Sequence, residues 1–445
     1  MDFLKPINEL ITSCSKKLQH ILTFQKRSET RSRLSKFPWK KADYFIEIRL
    51  IDRQIKNEMK ALEDSLSKKY HIGQKHYVPH ISLVGGFKSS HEKSLVDDFL
   101  NICADTPIMK FSIEGWDTFS GKNNVAFLKI APSTNLRKFR WRLSDKIRPY
   151  CDGFTPFDFQ NEEDFVFHGT IALHIPDDKF KKTLSSIDFQ FPDHISGEYF
   201  VDRVTVLKNH RILLEYDFLL REKLDRVQAR NPHVYRFTEN IKSDLITQKE
   251  DTITLNSAKT RVFLLSDSHF DHENIIRYVH RHFSNVHSMN DEIVRRWNAT
   301  VKKGDEVIFL GDLTYGRGNR GIPFWLSQLQ GNIKFIKGSH DKIEHLPEFH
   351  KVTKLVLENH PEIQFILSHD PKDIGPQYND YWKIHGHHHN NNTEKFPFIN
   401  GEKKTINVSV ELMDYFPLDI EKLFDLNFTR IKYMKDISSE PVYFS

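Results

Sequence analysis

Residues 78–87 read VPHISLVGGF, and residues 165–175 read FVFHGTIALHI. Each is a short apolar run with a histidine followed two positions later by a hydroxyl residue: His80 with Ser82, and His168 with Thr170. On a β-strand successive side chains alternate faces, so residues two apart share one. Each stretch therefore predicts a strand that offers one imidazole and one hydroxyl to the same side. One such pair is ordinary sequence. Two of them in like surroundings predict a cleft with two acid–base groups and two donors for phosphate oxygens. That set is sufficient to hydrolyse a phosphodiester without a metal. His174 shares the face of His168 only while the strand stays regular, and is expected at the periphery.

The surroundings complete an α/β unit over residues 43–220. YFIEIRLI at 44–51, VAFLKIAP at 125–132 and RVTVLKN at 203–209 also read as strands, and NLRKFRWRLSDKIRPY at 135–150 reads as an amphipathic helix. The unit resembles the two-histidine (2H) phosphoesterase family, which includes RNA ligase-like and cyclic nucleotide phosphodiesterase members. The likeness rests on both His-x-Ser/Thr motifs, on the YFIEIRL strand and on the PHISL setting of the first motif. Phe167 stands where the family often has proline before its second histidine. The resemblance implies a bilobal fold of pseudo-twofold symmetry, with a groove lined by His80, Ser82, His168 and Thr170. It also implies action on 2′,3′-cyclic phosphates or related 2′-linked phosphodiesters with no cofactor. It leaves open which histidine is the base and which the acid.

Residues 260–445 carry a second pattern. Five apolar runs end in metal-capable side chains: RVFLLSDSHF (261–270) in Asp267 and His269, and DEVIFLGDL (305–313) in Asp312. IKFIKGSHD (333–341) ends in Ser339, His340 and Asp341, IQFILSHD (363–370) in His369, and YWKIHGHHHN (381–390) in His387 and His389. Strand ends along one sheet edge are where an α/β scaffold gathers a site. Mixed His and Asp ligands suit Mn, Fe, Zn or Ni better than Ca. A carboxylate such as Asp312 can bridge two metals. Fourteen of the 24 histidines lie between His269 and His389.

This order of blocks is similar to that of the calcineurin-like metallophosphoesterases. DSHFDHENIIRY, MNDEIVRRWNATVKKGDEVIFLGDLTYG and INVSVE resemble that family's small single-domain branch. The resemblance implies a four-layer αββα fold with two divalent transition metals. Asp267, His269, Asp312 and His389 would hold one, and Asp312, His369 and His387 the other. His340 would stabilise the phosphoryl oxygens or protonate the leaving group, with Asp341 orienting it. Ser339 departs from the pattern, because the family has an asparagine ligand there; a shorter neutral ligand implies a weaker, water-assisted or absent second metal. His272 and Asn274 lie just beyond the first block and read as simple loop structure or, alternatively, as a border of the substrate; His385 and His388 are expected to point away from the metals.

Composition bounds the rest. At roughly 150 residues per domain, 445 residues predict about three units. The net charge of +5 is too mild to announce a nucleic-acid or membrane binder. It is also unevenly placed: residues 1–42 carry ten Lys/Arg against three Asp/Glu, a local +7, so the remainder sums to −2. That segment is expected to form a basic helical extension, and its charge suits RNA phosphates. A secretory signal does not fit its short, charge-interrupted apolar run, and Asp2 and Glu9 argue against a transit peptide. Residues 221–259 are charged and weakly patterned, and read as a connector. No run approaches the roughly 18 uncharged apolar residues of a spanning helix. Three cysteines (Cys14, Cys103, Cys151) make no disulfide framework, which predicts a reducing, cytoplasmic setting.

A metal-free cyclic phosphodiesterase beside a metal-dependent phosphoesterase predicts sequential chemistry on RNA or nucleotide phosphate ends. The first domain would open the cyclic phosphate, and the second would hydrolyse the resulting ester. Two other readings fit the same residues. One is hydrolysis of signalling nucleotides such as 2′,5′-oligoadenylates or cyclic oligonucleotides. The other is nucleic-acid binding with one site decayed, for which Ser339 is the argument.

Overall fold

A computed structural model describes residues 44–72, 78–120, 124–247, 252–316, 318–341 and 351–444. The basic extension expected at residues 1–42, with Cys14, lies outside the described residues. Cys103 and Cys151 are buried free thiols. Among the described residues no helix is long and apolar enough to cross a membrane.

The alternating runs of the first half form the nine-stranded sheet on which the histidine motifs stand. Its strands are β1 (Tyr44–Arg49), β2 (His80–Phe87), β3 (Lys110–Phe119), β4 (Asn124–Pro132), β5 (His168–Ile175), β6 (Gly197–Phe200), β7 (Arg203–Lys208), β8 (Arg211–Asp217) and β9 (Glu222–Leu224). Their spatial order is β6-β3-β4-β5-β2-β1-β7-β8-β9. The two motif strands are therefore neighbours at the sheet's centre, flanked by β4 on one side and β1 on the other. Register shifts within the β1–β2, β3–β4, β4–β5 and β7–β8 pairs curl the sheet, because each irregularity adds local twist.

Helices Arg53–Tyr70, Glu92–Ala104, Thr134–Ile147 and Asp177–Gln190 cover one face. They bury Leu62, Leu66, Phe99, Phe139 and Leu143 in one core with Ile81, Leu83, Phe167 and Ile171 of the motif strands. The opposite face is left for His80, Ser82, His168 and Thr170. Arg140 is buried on the core side of its helix, where a sequence reading would place an apolar residue. Its guanidinium donates to the carbonyls of Leu83, Phe157 and Gln160, so no donor is stranded in the core.

The segment read as a connector is built into the fold. Glu222–Leu224 is the edge strand of the first sheet, and Thr252–Leu255 (β10) is the edge strand of the next. Between them helix Pro232–Thr247 buries Val234, Phe237 and Ile241 against Phe335 and Ile333 of the second half. Its apolar residues recur at three- and four-residue spacing, but the charges between them blur the pattern.

The second half stacks two sheets. The smaller has β11 (Val262–Leu265), β12 (Glu306–Phe309) and β13 (Asn332–Phe335) in parallel, with β19 (Leu418–Asp419) antiparallel at the edge. The larger contains β14 (Val352–Leu357), β15 (Phe365–Ser368), β16 (Trp382–His385), β17 (Ile399–Asn400), β18 (Thr405–Asn407), β20 (Ile431–Met434) and β21 (Val442–Tyr443) beside β10. Leu264, Ile308 and Ile336 meet Leu355, Leu367 and Ile384 in the core between the sheets. The other face of the smaller sheet packs on helices Val286–Thr300 and Pro232–Thr247. Among the described residues the two long helices packed on this half lie on that side. After β14 the helical segments among the described residues are short, Glu421–Asp425 being the α-helix among them, and it buries Leu423 in the core between the sheets.

Candidate functional site

The first candidate site follows from one register. β2 and β5 pair antiparallel with Ile81 opposite Gly169. That register sets His80 across from Thr170 and Ser82 across from His168, all on the helix-free face. The Nδ1 of His80 lies 3.3 Å from the carbonyl of Val78, and the Nδ1 of His168 lies 2.9 Å from the carbonyl of Val166. A carbonyl only accepts, so each Nδ1 carries a proton and each neutral ring has its lone pair on Nε2. Burial lowers both histidines below the usual imidazole range; Arg49 adds to the effect on His80, and His80 to that on His168. His174 is exposed at a left-handed φ of 53°, where the strand loses its alternation.

The flanking strands add residues that the motif reading missed. In β1, Arg49 pairs with His80 and Glu47 with Ser82. In β4, Lys129 pairs with His168 and Phe127 with Thr170. A cation thus stands beside each histidine, and each is itself ion-paired, Arg49 with Glu215 at 3.1 Å and Lys129 with Glu114 at 3.3 Å. Glu47 Oε2 lies 3.8 Å from His80 Nδ1, and burial pushes its carboxyl up to about 7. Phe45 meets His80 edge-on at 5.7 Å between centroids, while Phe119 and Phe127 flank His168 at 5.3 and 5.5 Å. The signal for Glu47 and Arg49 was present: two charges alternate with apolar residues in YFIEIR, and so share one face of the strand.

The second candidate site lies where β11, β12, β13, β15 and β16 end. Asp267, His269 and His389 each bring one ligand-capable atom within 4.8 Å of the others, and so do Asp312, His369 and His387. Asp312 joins the groups, since its Oδ2 lies 3.5 Å from His269 Nε2 and 3.3 Å from His369 Nε2. Asp267, His269, Asp312, His387 and His389 all have left-handed φ angles, between 49° and 69°. Such backbone costs of order 1–3 kcal/mol per residue and clusters where side chains must converge.

Outer contacts aim the rings. Leu310 O lies 2.7 Å from Nδ1 of His369, and Glu411 Oε1 lies 3.0 Å from Nδ1 of His389, which turns each Nε2 inward. Arg281 in turn pairs with Glu411 at 2.6 Å, and the Glu411 carboxyl is depressed to about 2 despite full burial. The hydroxyl of Ser409 and the backbone N–H of His387 donate to Oδ2 of Asp267. Glu411 and Ser409 lie at the end of INVSVE, where only the match in sequence marked them.

The structure brings Ser339, His340 and Asp341 to the same place with different tasks. Ser339 Oγ donates to Oδ2 of Asp312 at 3.2 Å. The backbone N–H of His340 donates to the other oxygen of Asp312, and its exposed ring lies 4.2 Å from that of Tyr315. Asp341 departs from the role expected of it. Its carboxylate accepts from the N–H groups of Asp312, Leu313 and Gly338, so it braces the loop and not the His340 ring. His385 is buried with Nδ1 2.9 Å from the carbonyl of Gly386, and His388 stacks on Phe396, so both rings are spent away from the cluster.

Gly386 sits against the ligands. A Cβ there would clash with Ser266 Oγ and Asp267 Oδ2. Gly386→Ala is expected to cost about 1–3 kcal/mol of stability, the usual range for overpacking. Thermal denaturation checks it: an unchanged Tm would show that the loop shifts at no cost.

Comparison with known proteins follows this geometry in part. A family model described as the 2′-5′ RNA ligase superfamily matches residues 51–212. The chain is 39% identical over 167 residues to uncharacterized protein MJ1445 of Methanocaldococcus jannaschii, covering 37% of this chain and 90% of that protein. Among solved structures it is similar to the protein of unknown function AQ665 from Aquifex aeolicus, at 23% identity and a TM-score of 0.27, covering 38% of this chain and 99% of that one. It is also similar to Usb1 of Kluyveromyces marxianus, at 12% identity and a TM-score of 0.26, covering 42% of this chain and 98% of that one.

Proposed function

The chain belongs to the 2′-5′ RNA ligase superfamily through residues 51–212, and from that premise we propose a two-site phosphoesterase that processes RNA or nucleotide phosphate ends. The observation that carries the reading is the pairing of the two His-x-Ser/Thr strands at the centre of one sheet. In the first site one histidine takes the proton of an attacking water through Nε2. The other gives a proton to the departing 2′ or 3′ oxygen, opening a 2′,3′-cyclic phosphate to a monoester. Ser82, Thr170, Arg49 and Lys129 hold the non-bridging oxygens, and no metal is required.

The second site would hold two divalent transition metals, Mn, Fe, Zn or Ni, between Asp267, His269, Asp312 and His389 on one side and Asp312, His369 and His387 on the other. The fit is supported by buried atoms that have no hydrogen-bond partner among the described residues: both ring nitrogens of His269 and Oδ1 of Asp267. Buried polar atoms left so are costly unless something binds them. When bound, such a metal pair neutralises phosphate charge and lowers the pKa of water. Glu411 and Leu310 O keep His389 and His369 aimed, Ser339 steadies Asp312, and the exposed His340 would donate to the phosphoryl or leaving oxygen. Sequential use of both sites would remove a terminal cyclic phosphate altogether.

The test is a short RNA ending in a 2′,3′-cyclic phosphate, incubated with EDTA or with Mn²⁺, with products read by mass spectrometry. A monoester is expected in EDTA and a free hydroxyl end with Mn²⁺; recovery of unaltered RNA in both overturns the reading. The burial of His80 and His168 adds a prediction on pH. The base must be neutral and the acid protonated, and both pKa values lie below the ordinary 6.5. The kcat/KM for cyclic-phosphate opening in EDTA is therefore expected to peak on the acid side of 6.5 and to fall as pH rises. An alkaline optimum would contradict it.

A further inference from the structure

A cavity of about 430 Å³ opens beside the exposed ring of His340. That is far more room than a phosphate needs and lies in the range of pockets that enclose an organic ligand, roughly 300–1,000 Å³. One side is aromatic: Tyr315 and His272 meet edge to face at 4.8 Å, with Asn274 next to them. The far wall comes from the other half of the chain. It is Glu222, in the edge strand of the nine-stranded sheet.

The Glu222 carboxylate lies against the loop that closes the cavity, so near that a Cβ on Gly321 would be 2.6 Å from Oε2. Gly321 has a φ of 79°, which keeps that surface bare. The loop is anchored from behind, because Arg320 and Trp325 both donate to Asp271. No hydrogen bond or ion pair to the Glu222 side chain is formed among the described residues, and burial, with Asp217 adding to it, pushes its carboxyl up to about 7. The carboxyl is only partly buried and engages no protein donor among the described residues, so it is free to meet a donor on a ligand in the cavity.

Resting on the reading of the second site as a metal-dependent phosphoesterase, we infer that this cavity receives the nucleoside of a nucleoside monophosphate, with Glu222 as its specificity-determining residue. Aromatic faces stack on a base of any sequence. Glu222 accepts from the N–H groups of the base or the O–H groups of the ribose. His340 stands between cavity and metal cluster, where the ester oxygen of such a nucleotide would lie. The first domain thus completes the pocket of the second, and the pocket suits the kind of monoester that cyclic-phosphate opening leaves.

The test compares the full chain with Glu222→Gln. In Mn²⁺, kcat/KM is measured for the four nucleoside 3′-monophosphates and for p-nitrophenyl phosphate, which has no nucleoside. In EDTA, binding of the same nucleotides is measured by equilibrium dialysis. The variant is expected to lose about tenfold more on at least one nucleotide than on p-nitrophenyl phosphate, and to bind fewer nucleotides per chain. Equal losses on all substrates, or none, overturn the assignment. If wild type hydrolyses neither substrate class, the phosphoesterase reading fails and dialysis decides the pocket alone: a binding curve altered by Glu222→Gln supports it, and an identical curve overturns it.

Discussion

Asp312→Ala is expected to remove metal-dependent hydrolysis while leaving cyclic-phosphate opening in EDTA intact. Asp312 Oδ2 lies close to both His269 Nε2 and His369 Nε2, at 3.5 and 3.3 Å. On the reading of the two triads as metal sites, its loss takes a carboxylate from beside both. It also removes the acceptor for the His340 N–H and for the Ser339 hydroxyl. Loss of a contact that merely supports a metal ligand costs about 10–100-fold in affinity or activity. Loss of a shared ligand should exceed about 100-fold. Elemental analysis gives a second readout, with metal falling from about two ions per chain to below one. Full metal content in Asp312→Ala would show that the two triads do not share this carboxylate.

His168→Ala and His80→Ala are expected to give the mirror result. Each should lower cyclic-phosphate opening by roughly 10²–10⁴-fold, the usual contribution of a positioned acid or base. Hydrolysis of a monoester in Mn²⁺ should survive, because neither ring lies among the second site's ligands. The double variant should be little worse than either single one if the pair acts as a unit. Retained opening in both single variants would mean that these histidines do not carry the reaction.

The two sites differ in how much of them a linear reading can find. His80, Ser82, His168 and Thr170 were legible because strand periodicity is local: a two-residue step settles which face a side chain takes. The metal-capable residues were legible as a set for a similar reason, since each closes an apolar run that must be a strand. Glu47, Arg49 and Lys129 were harder. Each reads as one more surface charge until a neighbouring strand puts it beside a histidine. The burial of Arg140 has no local signal, because it depends on carbonyls supplied by two distant segments. The role of Asp341 was misplaced for the same reason: its partners are backbone N–H groups up to 29 residues away, which no side-chain pattern reveals.

By itself the sequence determined that two histidine-bearing α/β units lie in one chain, which strands carry the candidate side chains, and which face those side chains share. Those properties follow from spacings of two residues and from run-end positions, and they need no contact across the fold. Tertiary structure alone decided that β2 lies beside β5, that Asp312 stands between two histidine clusters, and that residues 221–259 bind the halves together. It alone placed Glu222 of the first sheet in the wall of the second site's cavity. These are matters of which distant segments meet, settled by the burial of apolar faces whose partners lie far away along the chain.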